Sequence, residues 1–176
     1  MKSSSHTSYW SIFDYKRDPD NVVLNNTFAE LDRDDFNDTA PTSTNFAVGT
    51  HTSTNNSGHT YIAYCFSEVA GYSKFGVWTA VGDTNGSYVA TGFQPAWIMA
   101  KQISGSGGNW FITDYKRETF NVNADILDAN LSDDERNADI FDFLSNGFKI
   151  RLGLGTGERF IYLAFAKSPF KNSRAR

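Results

Sequence analysis

A chain of 176 residues with net charge −4 fits one ordinary domain, or two small ones, and can bury a core without disulfide staples. Its acids and bases are interspersed, without the basic stripe of a nucleic-acid binder, and a single cysteine, Cys65, excludes an internal disulfide and a cysteine-based zinc site. The opening MKSSSHTSYW has no apolar h-region, and no apolar run nears the roughly 18 residues of a membrane span, so a soluble product made in a cytoplasm is expected, without membrane insertion.

The first organised feature is WSIFDYKR at 10–17, and it returns as WFITDYKR at 110–117. Between residues 10 and 40, 12 of 31 positions are identical at a shift of 100, where chance would give about two. Later in the chain the shift drifts by one or two. Phe46-Ala-Val48 then faces Phe148-Lys-Ile150, and Tyr61-Ile-Ala-Tyr64 faces Tyr162-Leu-Ala-Phe165. Duplication explains this pattern, and residues 1–67 and 71–170 are the two copies. The first copy has no counterpart of Tyr72-to-Met99. Its unit is therefore expected to be incomplete, or, as the second choice, completed by strands of a neighbouring chain.

The second copy reads as strands and turns. KFGVWTAV (74–81) is rich in β-formers and precedes the turn Gly82-Asp-Thr-Asn-Gly86. YVATGF (88–93) alternates, WIMAKQI (97–103) is a short apolar run, and SGSGG (104–108) is a flexible turn. WFITDY (110–115) places Trp110, Ile112 and Asp114 on one face. Between 125 and 146 the period of two vanishes. Ser132-Asp-Asp-Glu135 matches a capping box there, so a short helix or helical turn is expected. GFKIRLGL (147–154) and ERFIYLAFAK (158–167) return to strand. The last is apolar on both faces, as a strand under a neighbouring layer would be. Short strands without βα alternation predict an all-β two-sheet sandwich, jelly-roll or concanavalin-like, with pseudo-repeated halves and short helical turns.

Five stretches belong together: TYIAYCFSEVAGYSKFG (60–76), TGFQPAWIMAK (91–101), WFITDYKR (110–117), FLSNGFKIR (143–151) and YLAFAKSPFK (162–171). In this order they resemble a repeat domain of large virion proteins of tailed bacteriophages, common in marine phages. Those proteins are tail-fibre-like or structural and often carry concanavalin-like sandwich domains upstream. The resemblance runs from Trp10 to Lys171. It implies a virion component made in the host cytoplasm, with other virion proteins as partners, a host surface glycan as ligand, and a homotrimer as the assembly. It supplies no catalytic residues.

Candidate chemistry is sparse. In a strand, Asp14 and Lys16 share a face, as do Asp114 and Lys116, and either a polar ligand contact or a turn-organising role fits, the repetition favouring the second. Asp32, Asp34, Asp35 and Asp38 form one acidic cluster, and Asp133, Asp134, Glu135 and Asp139 another. These are the places for a Ca²⁺ ion, but the spacing is not that of an EF-hand, and no cofactor is expected. His6, His51 and His59 lack metal-site spacing, no GxSxG elbow exists, and SGSGG lacks the lysine of a phosphate loop. Trp10, Trp78, Trp97 and Trp110 are expected mostly in the core. Tyr72, Tyr88 and Phe120 lie at loops and are the candidate ligand-binding residues, since exposed amphipathic rings stack on sugars. The alternatives to a non-enzymatic virion component are a lectin-like carbohydrate-binding module and, behind it, a polysaccharide-degrading enzyme.

Overall fold

The computed structural model describes residues 1–14 and 20–169. The elements run in the order β1 (Lys2–Ser3), β2 (Ser11–Ile12), β3 (Val22–Val23), α1 (Thr52–Asn55), β4 (Tyr61–Ile62), β5 (Ser73–Thr79), β6 (Tyr88–Ala90), β7 (Pro95–Gln102), β8 (Trp110–Asp114), β9 (Asn123–Asp128), β10 (Arg136–Leu144), β11 (Gly147–Ile150) and β12 (Arg159–Ala166). Eight strands form one antiparallel sheet in the order β5-β12-β7-β8-β9-β10-β11-β6. Strand β9 turns the corner. It pairs with β8 through Leu127 and Asp128, and with β10 through Asn123, Asp125 and Ile126.

The fold over this corner makes an all-β two-layer sandwich, with aromatic rings between the layers. Trp78 on β5 stacks on Phe160 of β12 at 4.9 Å and meets Phe141 of β10 and Phe148 of β11 edge-on at 6.0 and 5.9 Å. Phe148 in turn meets Tyr162 of β12 at 5.2 Å. Edge-to-face pairs of this kind add about 0.5–1.5 kcal/mol each beyond the area they bury. Alternation delivers the rings: Phe160, Tyr162 and Ala164 point inward from one strand, and Ile98 and Ala100 from its neighbour.

The outer face of β5-β12-β7-β8 is apolar too, and the first copy covers it. Val22, Ile103, Trp110 and Ile161 are buried together, with Ile12, Leu24, Val77, Met99 and Leu163 packed around them. This is why β12 reads apolar on both faces. Polar contacts fasten the cover. Trp110 Nε1 donates to the Val23 carbonyl at 2.8 Å, and Arg159 Nη1 lies 3.1 Å from Glu30 Oε1. Lys101 is wholly buried, with its ammonium donating to the carbonyls of Asn26, at 3.2 Å, and Gly108. Gly107 has φ +72°, and a Cβ there would overlap the backbone of Thr27, Phe28 and Ala29, so glycine alone fits this approach.

Both copies keep one hydrogen-bonded frame around their tryptophan. Trp10 N donates to Asn25 Oδ1 and its carbonyl accepts from Leu24 N, both at 2.9 Å. Trp110 N donates to Asn130 Oδ1 and its carbonyl accepts from Ala129 N, both at 2.7 Å. The ungapped shift of 100 pairs Asn25 with Asp125, whereas the frame pairs it with Asn130. The second copy therefore holds extra residues between the two sides of the hairpin.

Elsewhere the copies diverge. In the second, Tyr162–Phe165 lies inside β12, flanked by β5 and β7. In the first, the matching β4 pairs with β1 in a two-stranded sheet, and Tyr64 and Phe66 are exposed.

The helix expected around Ser132-Asp-Asp-Glu135 is not there. Residues 131–135 are irregular and β10 follows. Glu135 serves an arginine rather than a helix N–H group, with its Oε2 2.8 Å from Arg117 Nη1. A register shift between Asn137 and Phe141 breaks the alternation, which is why the strand does not read as one. The helical turn lies instead at Thr52–Asn55, where His51 Nδ1 accepts from Ser53 N.

Candidate functional site

Strand β8 ends at Asp114, and the chain then loops through 115–122 before β9. Asp114 organises the loop's first turn. Its Oδ1 accepts from Lys116 N at 2.9 Å and Arg117 N at 3.1 Å, and its Oδ2 from Arg117 Nε at 2.9 Å. Partial burial pulls the Asp114 carboxyl upward, but these donors outweigh it and hold it below the ordinary aspartate value. In the second copy, then, the DYKR aspartate has the turn-organising role. In the first copy Asp14 is buried, and Lys16 and Arg17 lie outside the described residues.

Two asparagines hold the far side of the loop. Asn121 mimics a strand partner for Phe143, donating to its carbonyl at 3.1 Å and accepting from its N–H at 2.8 Å. Asn123, 1% exposed, donates to the carbonyls of Asp114 and Glu118 at 3.2 and 3.1 Å and accepts from the Thr113 hydroxyl. Glu118 Oε2 accepts from Ala124 N at 2.6 Å. These bonds fix the backbone of an exposed loop, which is what a preorganised site requires.

The loop walls a cleft of about 250 Å³ with Tyr115, Phe120 and Phe143 as its rings and Gln94, Asn121 and Lys167 among its polar lining. Phe120 is 83% exposed. The ammonium groups of Lys116 and Lys167 lie 5.0 and 4.9 Å from the centroid of the Tyr115 ring. Lys167 N also donates to the Gln94 carbonyl at 2.9 Å, tying the end of β12 to the loop before β7.

Of the three candidate ligand residues, Phe120 lines this cleft. Tyr72 packs against Phe165 at 5.8 Å, and Tyr88 on edge strand β6 donates its hydroxyl to the Asn146 carbonyl; neither lines the cleft. Trp78 and Trp110 are buried in the core. Sequence reading missed Tyr115, Gln94, Asn121 and Lys167. The available signal was the spacing Asn121-x-Asn123 just after an exposed phenylalanine.

Two acids of the first cluster are drawn into other bonds. Asp35 is buried, with its Oδ2 2.5 Å from Arg33 Nη2. Asp34 Oδ2 accepts from the side chain and backbone of Thr50, both at 2.7 Å, and these bonds lower its carboxyl below the ordinary value. Among the described residues, no group of three or more His, Cys, Asp or Glu side chains is placed to hold a metal ion.

An all-β sandwich carrying a loop-built aromatic cleft is the class of protein this fold and site define. The chain belongs to the family described as "Domain of unknown function (DUF7483)", which matches residues 20–169. No curated protein and no solved structure matches it.

Proposed function

We propose that the chain is a non-enzymatic component of a tailed-phage virion, at or near a tail fibre, that adheres to a saccharide of the host surface through the 115–122 cleft. The cleft carries this reading. Three rings and three side-chain amides line a space slightly below the roughly 300 Å³ where drug-sized pockets begin, room for one sugar ring. Aromatic faces take the apolar side of a pyranose, and amides take its hydroxyls. The motif resemblance supplies the setting: other virion proteins as partners and a homotrimer of the kind that closes a symmetric fibre.

The non-enzymatic assignment rests on the lining. Glycoside hydrolysis needs two carboxyl groups flanking the scissile bond. Among the described residues lining the cleft the carboxylate is that of Glu118, which is engaged with Ala124 N–H.

The test is a host-polysaccharide binding assay run beside a reducing-end assay, with Phe120→Ala as control. Retention of saccharide by the parent chain, its loss in Phe120→Ala and no new reducing ends are expected. Release of reducing ends would overturn the non-enzymatic assignment. Absence of the chain from purified virions, by mass spectrometry, would remove the virion setting.

A further inference from the structure

Resting on the saccharide reading, we infer that the cleft selects a saccharide bearing an anionic group. The chain as a whole is acidic, at −4, yet Lys167 lines the cleft, and its ammonium and that of Lys116, the neighbour in sequence of the lining residue Tyr115, each lie against the Tyr115 ring. The acids nearby are committed elsewhere. Asp114 is held by Arg117 and two backbone N–H groups, Glu135 by the same guanidinium, and Glu118 by Ala124 N–H. Both lysines are exposed, so their ammonium groups are open to a ligand at the Tyr115 ring.

A neutral sugar would use the rings and amides and leave both ammonium groups idle. An anionic substituent would bring a charge-assisted bond, roughly twice as strong as a neutral one. The rings would hold the pyranose while one or both lysines reach the substituent. Free carboxylates and sulfate monoesters share this chemistry, and both are substituents that a surface polysaccharide can carry.

Calorimetric titration of the whole chain with oligogalacturonate, a sulfated galactan oligosaccharide and the neutral galactan oligosaccharide tests this. At least one anionic probe is expected to bind about tenfold or more tightly than the neutral one, a difference that a single charge-assisted bond supplies. The arm that binds identifies the substituent. Binding should weaken with added salt and fall about tenfold in Lys167→Gln. It should also fall in Phe120→Ala, which indiscriminate attraction of a polyanion would not do. Equal affinity for neutral and anionic probes would overturn the anionic selection while leaving the saccharide reading standing. Binding of none of the three would overturn both.

Discussion

The indole of Trp110 donates its N–H to the main-chain carbonyl of Val23, a residue 87 positions earlier in the chain. Both partners are fully buried, and the bond joins the first copy to the outer face of the sandwich built by the second. Trp110→Phe keeps a ring but leaves that carbonyl unpaired. It should cost about 1–3 kcal/mol by denaturant unfolding. Hydrogen exchange should locate the loss, with Val22, Val23 and Leu24 amides losing more protection than those of β12.

Gly107 makes the same junction from the other side. A side chain there meets both a positive φ and the backbone of Thr27 to Ala29. Gly107→Ala is expected to destabilise the fold by more than 1 kcal/mol, while Gly105→Ala, with only a side-chain atom at 3.8 Å, should cost the strain of its φ alone.

Stability should depend on pH in the alkaline range with two opposed slopes. Burial lowers Lys101 from 10.5 to about 8, so the unfolded chain holds this proton longer than the fold does. The penalty is fully present below pH 8 and is relieved between about 8 and 10.5, an increase in stability of up to about 3 kcal/mol. Burial, with help from the carboxylates of Glu68 and Asp14, raises Tyr162 from 10.0 to about 12. Its contribution is intact below pH 10 and is lost as pH rises toward 12. Urea unfolding of the parent and of Lys101→Met across pH 7–11 checks the first slope. The rise should be absent in the variant, which should also be less stable overall because two carbonyls lose their donor.

The two copies should tolerate the same change unequally. Tyr162 is 3% exposed among core rings, and Tyr162→Ala is expected to cost about 3–5 kcal/mol. Its counterpart Tyr61 is half-buried and contributes through its hydroxyl, which donates to the Thr52 carbonyl and accepts from Asn56 N. Tyr61→Ala should cost about 1 kcal/mol. Thermal unfolding of both variants decides this, and equal losses would mean that the first copy is packed like the second.

Much of the sandwich is legible in the sequence, because alternation survives wherever a strand has two regular neighbours. Strand β8 is an example, β7 reads instead as a short apolar run, and the doubly apolar β12 announces a covering layer without saying which residues provide it. The cover is the first copy itself, through Val22 and Leu24, and its hold on Trp110 is a contact that no local pattern encodes. Strand β10 is illegible for a local reason, since its irregular register at 137–141 erases the period while Ser132-Asp-Asp-Glu135 imitates a helix start. At the cleft, only Phe120 was legible, as a bulky ring in a polar loop. Lys167 and Gln94 reach the site from elements distant in sequence, so their part depends on the sheet order β12-β7-β8.

The cleft loop makes its own prediction. Asn123→Ala removes two donor bonds to the loop and strips the Thr113 hydroxyl of its acceptor, and should cost about 2–4 kcal/mol of stability. Saccharide affinity should fall as well, because the site loses its preorganised wall. Asn121→Ala should weaken binding with a smaller loss of fold, since Asn121 is exposed.

The most direct measurement is an amide-resolved NMR titration of the whole chain with the bound saccharide. Shifts are predicted to cluster at Gln94, residues 115–123 and Lys167, and to vanish in Phe120→Ala. Shifts centred instead on Tyr72 or Tyr88, with residues 115–123 unmoved, would contradict the assignment of this cleft.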